Sequence, residues 1–380
     1  MSEAFSVEEM IGLLDKSIIY QMSLNSHELF HSNLWAWLME QDNAFAELFF
    51  PEISKPVSIK REEEHRDITV WEDGKAFVIE NKFKSIPTES QLIGYENKLG
   101  TKFARGILTG IRKPSICVGT GVLAHWKFLS YDDIAKGIRR ITENGTNLDR
   151  FTKEVIDAYI KMVELLSMTI NEDLNSHSNH VVCFAAPKSN DPFIKARLRD
   201  LLIKMHTDDF CSSLRNSNQY KELQHDLPEK YKLILKSDFT RKSGLVDICY
   251  QKDLTSKHYD LRIGVQIQGK QFKLFVSKSN QIKGKINAAE LFNKYLHYGW
   301  FEDYCLHPKL FKGKQTSMSP REDNLYQFNS YVDRSYCFIY QYFDINDDMN
   351  DDEIETMIWE YLKEAKQILL QTETGSKLPL

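Results

Sequence analysis

The chain has 380 residues, 42% hydrophobic, 12% aromatic and 27% charged, a globular composition that excludes disordered, collagenous and coiled-coil classes. Its 49 Lys and Arg against 54 Asp and Glu give a net charge of −5, too mild to make the whole surface a nucleic-acid binder. No apolar run approaches the roughly 18–20 residues that span a bilayer, and the acidic start MSEAFSVEEM lacks the basic region of a secretory signal. The six cysteines never reach CxxC spacing. A protein of the reducing cytoplasm, without membrane, disulfide framework or zinc knuckle, is the expectation.

Apolar positions at helical spacing predict helices over 7–20 and 24–40. The period then shortens to two, and 57–60, 67–71 and 76–83 read as strands separated by charged or Asp-Gly breaks. Thr88 with Gln91 resembles a capping box and opens a helix to about Lys98. Strands are expected at 115–118 and 127–131, then helices over 131–142 and 148–170. Helix, three strands, helix, strand makes 24–170 an α/β domain behind an N-terminal helix in 1–23.

The polar run 171–179 reads as a linker. Beyond it, 180–380 reads as a second α/β domain for substrate or partner binding. It has a helix at 192–206, strands at 231–237, 245–251, 259–268 and 271–277, and a helix at 287–297. A strand at 336–343 precedes a closing helix at 352–370, whose Ile354, Met357, Ile358, Tyr361, Leu362, Ala365, Ile368 and Leu369 form one core-facing stripe. Segment 251–320 carries 12 basic against 5 acidic residues, interleaved with Phe272, Phe275, Tyr295, Tyr298 and Trp300. Cations among aromatic faces suit a nucleic-acid groove, with Lys270, Lys273, Lys278, Lys283 and Lys285 as candidate phosphate contacts. A solvated basic face over an aromatic core is the plainer alternative.

The chemistry concentrates in 66–85, RDITVWEDGKAFVIENKFKS. Asp73-Gly74 is a strong signal for a two-residue hairpin turn. With those residues as the loop, Glu72 faces Lys75 and Asp67 falls opposite Glu80 on the same face of the sheet. Period two adds Lys82 beside Glu80. Two carboxylates about 5 Å apart destabilise a sheet unless a counter-charge joins them. Lys82 supplies part of it; a pair of hard oxygen ligands for Mg²⁺ supplies a better reason for the pairing.

Asp67 followed by Glu80-Asn81-Lys82 resembles the PD-(D/E)XK nuclease superfamily. Glu28-Leu-Phe-His31-Ser32 before Ala36-Trp37-Leu38 resembles the N-terminal signature of an uncharacterised bacterial branch of it. The resemblance covers about 24–135 and implies a restriction-endonuclease-like core of helix, three strands, helix and strand. It implies Asp67, Glu80 and the main-chain carbonyl of Asn81 as ligands of Mg²⁺, with Mn²⁺ substituting. It further implies Glu28 as the first-helix carboxylate approaching the metal, often through water, and Lys82 as the group orienting the attacking water. Gln91 and Tyr95, four apart on one helix face, would touch the site or the phosphate backbone. Arg66 stands where the superfamily's name has Pro. DNA endonuclease activity in bacterial genome defence or repair follows by the same resemblance, with a homodimer by analogy and a partner or activator left open.

Two other readings stand beside it. His27-Glu28-Leu-Phe-His31 matches the zinc-peptidase helix motif, with both imidazoles on one face, but no Gly-x-x-His follows to complete the ligands. A non-catalytic nucleic-acid-binding protein that keeps the fold is the other. The acidic run from Asp344 to Glu355 has EF-hand oxygen spacing, yet Met349 stands where the loop needs Gly, so it reads as an acidic helix start. In the second domain Asp247, Gln266 and Gln268 echo the order of the first site without its Glu and Lys; a plain β-meander is the simpler account.

Overall fold

The computed structural model describes residues 5–24, 26–56, 58–83, 87–176, 191–225, 227–240, 243–255, 258–279, 287–301, 329–332, 336–345 and 349–374. It is mixed α/β with two sheets. Two compact units divide it, Met1–Ser176 with Lys188–Met205, and chiefly His206–Leu380. Among the described residues no helix is long and apolar enough to cross a membrane.

In the first unit Ser6 and Glu9 cap each other reciprocally to open α1 (Val7–Lys16). The single helix expected over 7–20 is broken at Ser17. Its extended backbone closes α1, and its hydroxyl accepts the Tyr20 amide to start α2 (Ile18–Ser23). Then come α3 (His27–Gln41) and α4 (Asn43–Phe49), the latter begun by Asp42 accepting from the Ala44 amide. Strands β1 (Ser58–Glu63), β2 (Arg66–Glu72) and β3 (Lys75–Lys82) form an antiparallel meander. Helix α5 (Glu89–Leu99) crosses over to β4 (Phe103–Gly110), parallel to β3, and β5 (Trp126–Ser130) continues the sheet in the order β1-β2-β3-β4-β5. Helices α6 (Tyr131–Glu143), α7 (Arg150–Ser176) and α8 (Pro192–Lys195) follow. One sheet face, with Ile68, Val70, Ile79 and Ile107, packs on a core that includes Trp35, Phe49 and Tyr159. The other, with Val78 and Leu108, packs on Leu92, Tyr95 and Trp126.

Three expectations change here. The fourth strand is β4, not 115–118. Two glycines in Phe103–Gly110 lower its strand propensity, but one is required: a Cβ on Gly106 would lie 2.4 Å from the Trp126 ring. The polar start of the expected linker is helical, because Ile170 and Leu174 continue the buried stripe of α7 to Ser176. The expected helix over 192–206 is interrupted at Arg197, whose φ of +55° ends α8 before α9 (Arg199–Asn216) begins.

From His206, within α9, the second unit runs through α10 (Asn218–His225), β6 (Tyr231–Thr240), β7 (Ser243–Thr255), β8 (His258–Gln268), β9 (Gln271–Ser279), α11 (Ala288–His297), β10 (Asn329–Val332), β11 (Tyr336–Asp344) and α12 (Asp351–Thr374). Every pairing in its sheet, ordered β10-β11-β9-β8-β7-β6, is antiparallel. All eight residues of the α12 stripe are buried in its core. Asp247 does pair with Gln266, which donates to it at 2.7 Å. Yet β8 returns directly as β9, with no crossover helix, so this is a meander. Asn350 and Glu353 cap α12 reciprocally, which accounts for the acidic start without calcium.

Candidate active site

Asp73 and Gly74 both take positive φ, 46° and 74°, the mirror-image turn whose twist suits a two-residue hairpin. The register that results pairs Glu72 with Lys75 and, at the other end, Ile68 with Ile79. One step further brings Asp67 opposite Glu80. Glu80 is buried and its Oε1 takes two donors: Lys82 Nζ at 2.6 Å and Gln91 Nε2 at 2.7 Å. Its Oε2 is buried with no partner among the described residues. Asp67 Oδ2 accepts the Asn81 amide at 2.7 Å.

Burial first, and then the Glu80 charge, pushes the Asp67 carboxyl up to about 7. Burial also raises Glu80, against the pull of Lys82. The metal-free fold therefore holds a proton on Asp67 that the unfolded chain, at the ordinary 3.8, releases. The stability this confers is fully present below pH ~4 and is lost as pH rises through about 7. The melting temperature of the metal-free protein should fall between pH 5 and 8, and Asp67→Asn should flatten that fall. A slope that Asp67→Asn leaves unchanged would remove the carboxyl from this account.

Glu28, at the start of α3, accepts the Phe83 amide through Oε1 at 3.1 Å, and its charge is felt by both Asp67 and Glu80. Among the described residues no three His, Cys, Asp or Glu side chains are arranged to hold a metal ion. What the site offers is a carboxylate pair with an orphaned buried oxygen. That suffices for Mg²⁺, which takes one or two carboxylates and keeps several waters.

The Asn81 side chain was not among the expected site groups, yet it ties the site together. Its Nδ2 donates to the Glu28 carbonyl at 2.7 Å and to Ser32 Oγ at 3.0 Å. Its Oδ1 accepts from Tyr131 Oη at 2.6 Å and Thr109 Oγ1 at 2.9 Å. Thus α3, β4 and α6 are all fastened to β3 one residue from Glu80. Thr88 accepts the Gln91 amide as a cap, but the Gln91 side chain turns to Glu80 instead of closing the box. Tyr95 is buried; it accepts from Gln91 and donates to the His65 carbonyl at 2.8 Å.

No family model matches the chain, and neither does a curated protein or a solved structure.

His31 is fully buried, with Nδ1 bonded to Tyr159 Oη at 2.9 Å and its ring against Phe83 and Tyr131. It belongs to the core that supports β3. The His27 side chain lies outside the described residues. In the second unit Lys273 departs from expectation: it is 4% exposed, its ammonium donates to Gln266 at 3.1 Å and to Gln268, and it lies over the Tyr340 ring. The antiparallel return of β9 brings it onto the face of Gln266, so it neutralises the interior beside Asp247 rather than a phosphate. Lys270 and Lys278 are partly buried, and Lys283 and Lys285 lie outside the described residues.

The β1–β2 hairpin, at the start of β2 beside Asp67, is strained. Glu62, Glu64 and His65 have φ of 51°, 51° and 69°, a region that costs a non-glycine residue about 1–2 kcal/mol. Arg66, 1% exposed, holds it by pairing with Glu63 at 3.2 Å and Glu64 at 2.9 Å and donating to Thr69.

Proposed function

We propose that the protein is a Mg²⁺-dependent nuclease of PD-(D/E)XK type that hydrolyses phosphodiester bonds, acting as a DNA endonuclease in bacterial genome defence or repair. One observation carries the reading: a half-buried Asp67 and a buried Glu80 on adjacent strands, with Lys82 against Glu80 and one Glu80 oxygen without a partner among the described residues. The order α3, β1-β2-β3, α5, parallel β4 supports it, being the order that a restriction-endonuclease-like core requires.

Asp67, Glu80 and the Asn81 carbonyl would hold the ion. When bound there, Mg²⁺ neutralises phosphoryl charge and acidifies a coordinated water. The chain's own groups do the rest. Gln91 holds Glu80 Oε1 in place, and the Asn81 amide holds Asp67. Lys82, held against Glu80 at 2.6 Å, puts a positive charge where the phosphoryl oxygens gain negative charge. The basic segment 251–320 would carry the strand, and a homodimer that cuts both strands belongs to the same proposal.

Titrating Mg²⁺ and Mn²⁺ against labelled single- and double-stranded DNA and RNA, with wild type beside Glu80→Ala, tests it. Metal-dependent cleavage lost in the variant is the expected result and names the substrate. Cleavage retained in Glu80→Ala would move the active site elsewhere, and nucleic-acid binding without turnover would favour a non-catalytic binder.

A further inference from the structure

The two hairpins of the first sheet solve the same geometric problem differently. The β2–β3 turn uses Asp73-Gly74, where glycine takes positive φ freely. The β1–β2 turn instead places Glu64 and His65 at positive φ, after a further left-handed residue at Glu62, with no glycine between Ser58 and Glu72. A single glycine would relieve part of that strain. Backbone strain that the surroundings actively hold in place gathers at functional sites, and here it is held from two sides. The buried Arg66 clamps Glu63 and Glu64, and Tyr95 donates to the His65 carbonyl. Through Tyr95 and Gln91 that carbonyl is linked to Glu80 Oε1.

What this arrangement presents is the His65 imidazole. It is exposed, two residues before Asp67, and makes no hydrogen bond, ion pair or ring contact among the described residues. Lys60 and Arg66 together pair with Glu63 and Glu64 on the same hairpin, which lessens repulsion of an anion. An imidazole offers an N–H donor in either protonation state, and phosphates flank any scissile phosphodiester.

We propose that the strained β1–β2 tip sets His65 against the nucleic-acid strand, where its N–H donates to a phosphate oxygen next to the scissile bond. The inference rests on the nuclease reading and adds a substrate contact to it.

The test compares wild type, His65→Ala, His65→Asn and His65→Gly. Asparagine tolerates positive φ and keeps an N–H donor, whereas glycine relieves the strain and removes the donor. Cleavage kinetics are measured in Mg²⁺, and anisotropy of a fluorescein-labelled oligonucleotide is measured in Ca²⁺. Expected is a 10-fold or greater loss of kcat/KM and of oligonucleotide affinity in Ala and Gly, recovery of most of it in Asn, and a higher melting temperature in Gly. A Gly variant that binds as tightly as wild type, or that melts lower, overturns the inference. If wild type cleaves and depends on Glu80 while His65→Ala cleaves equally, this contact fails and the nuclease reading stands. If wild type cleaves nothing, the nuclease reading fails, and the binding comparison still decides His65.

Discussion

Lys82→Met is expected to lose about 10²–10³-fold in kcat/KM, the usual loss when one electrostatic group at a reacting centre is removed, while the protein folds normally. The argument starts from the charges around Glu80. Lys82 Nζ lies 2.6 Å from Glu80 Oε1 and is itself mostly buried. Asp67 and Glu28 both press negative charge on Glu80 or on each other. Methionine keeps the length and apolar stem and removes the cation that the structure sets against Glu80. Glu80, already raised by burial, can then take a proton instead of remaining an unpaired buried charge, so the fold survives. Calorimetric Mn²⁺ binding at pH 8 is the control. Mn²⁺ still bound with cleavage lost assigns Lys82 to the chemical step; undiminished cleavage in a folded Lys82→Met protein would sink the mechanism.

Asn81→Ala has the largest expected effect on stability. The side chain is fully buried and makes four hydrogen bonds, two as donor and two as acceptor. Alanine strands Tyr131 Oη and Thr109 Oγ1 in the interior, while the Glu28 carbonyl keeps its Ser32 donor. Each unsatisfied group costs about 1–3 kcal/mol, so a loss of at least about 2 kcal/mol in urea unfolding is expected. Asn81→Asp fares little better, because its second oxygen meets the Glu28 carbonyl, acceptor against acceptor, and adds a third carboxylate beside Asp67 and Glu80. Partial recovery of Asn81→Asp at low pH, where that oxygen carries a proton, distinguishes this from a volume effect. A loss below about 1 kcal/mol in Asn81→Ala would mean that water reaches the knot.

Much of the site was legible because it depends on short-range rules. Asp-Gly dictates a mirror-image turn, the turn sets the register, and alternation along β3 then puts Glu80 and Lys82 on the face that Asp67 shares. No distant residue is needed for that inference. Thr88 as a cap and the α12 stripe are local in the same sense. The β4 strand was misplaced because its glycines argue against a strand until Trp126, twenty residues on, is seen to need the space.

The sequence by itself determined the hairpin geometry, the carboxylate pair with its lysine, the α/β order of the first unit and the antiparallel strands of the second. Only the tertiary structure decided which of the remaining polar groups serve the site. Asn81 bonds to Glu28, 53 positions back, and to Tyr131, 50 positions on. His31, formally a zinc-motif histidine, meets Tyr159 across 128 positions. Lys273, one cation in a basic run, is drawn inside by Gln266 and Gln268. Turns and periodicities are set by backbone sterics between neighbours; hydrogen-bond partners and burial are set by which elements pack together, and the local pattern carries no record of that.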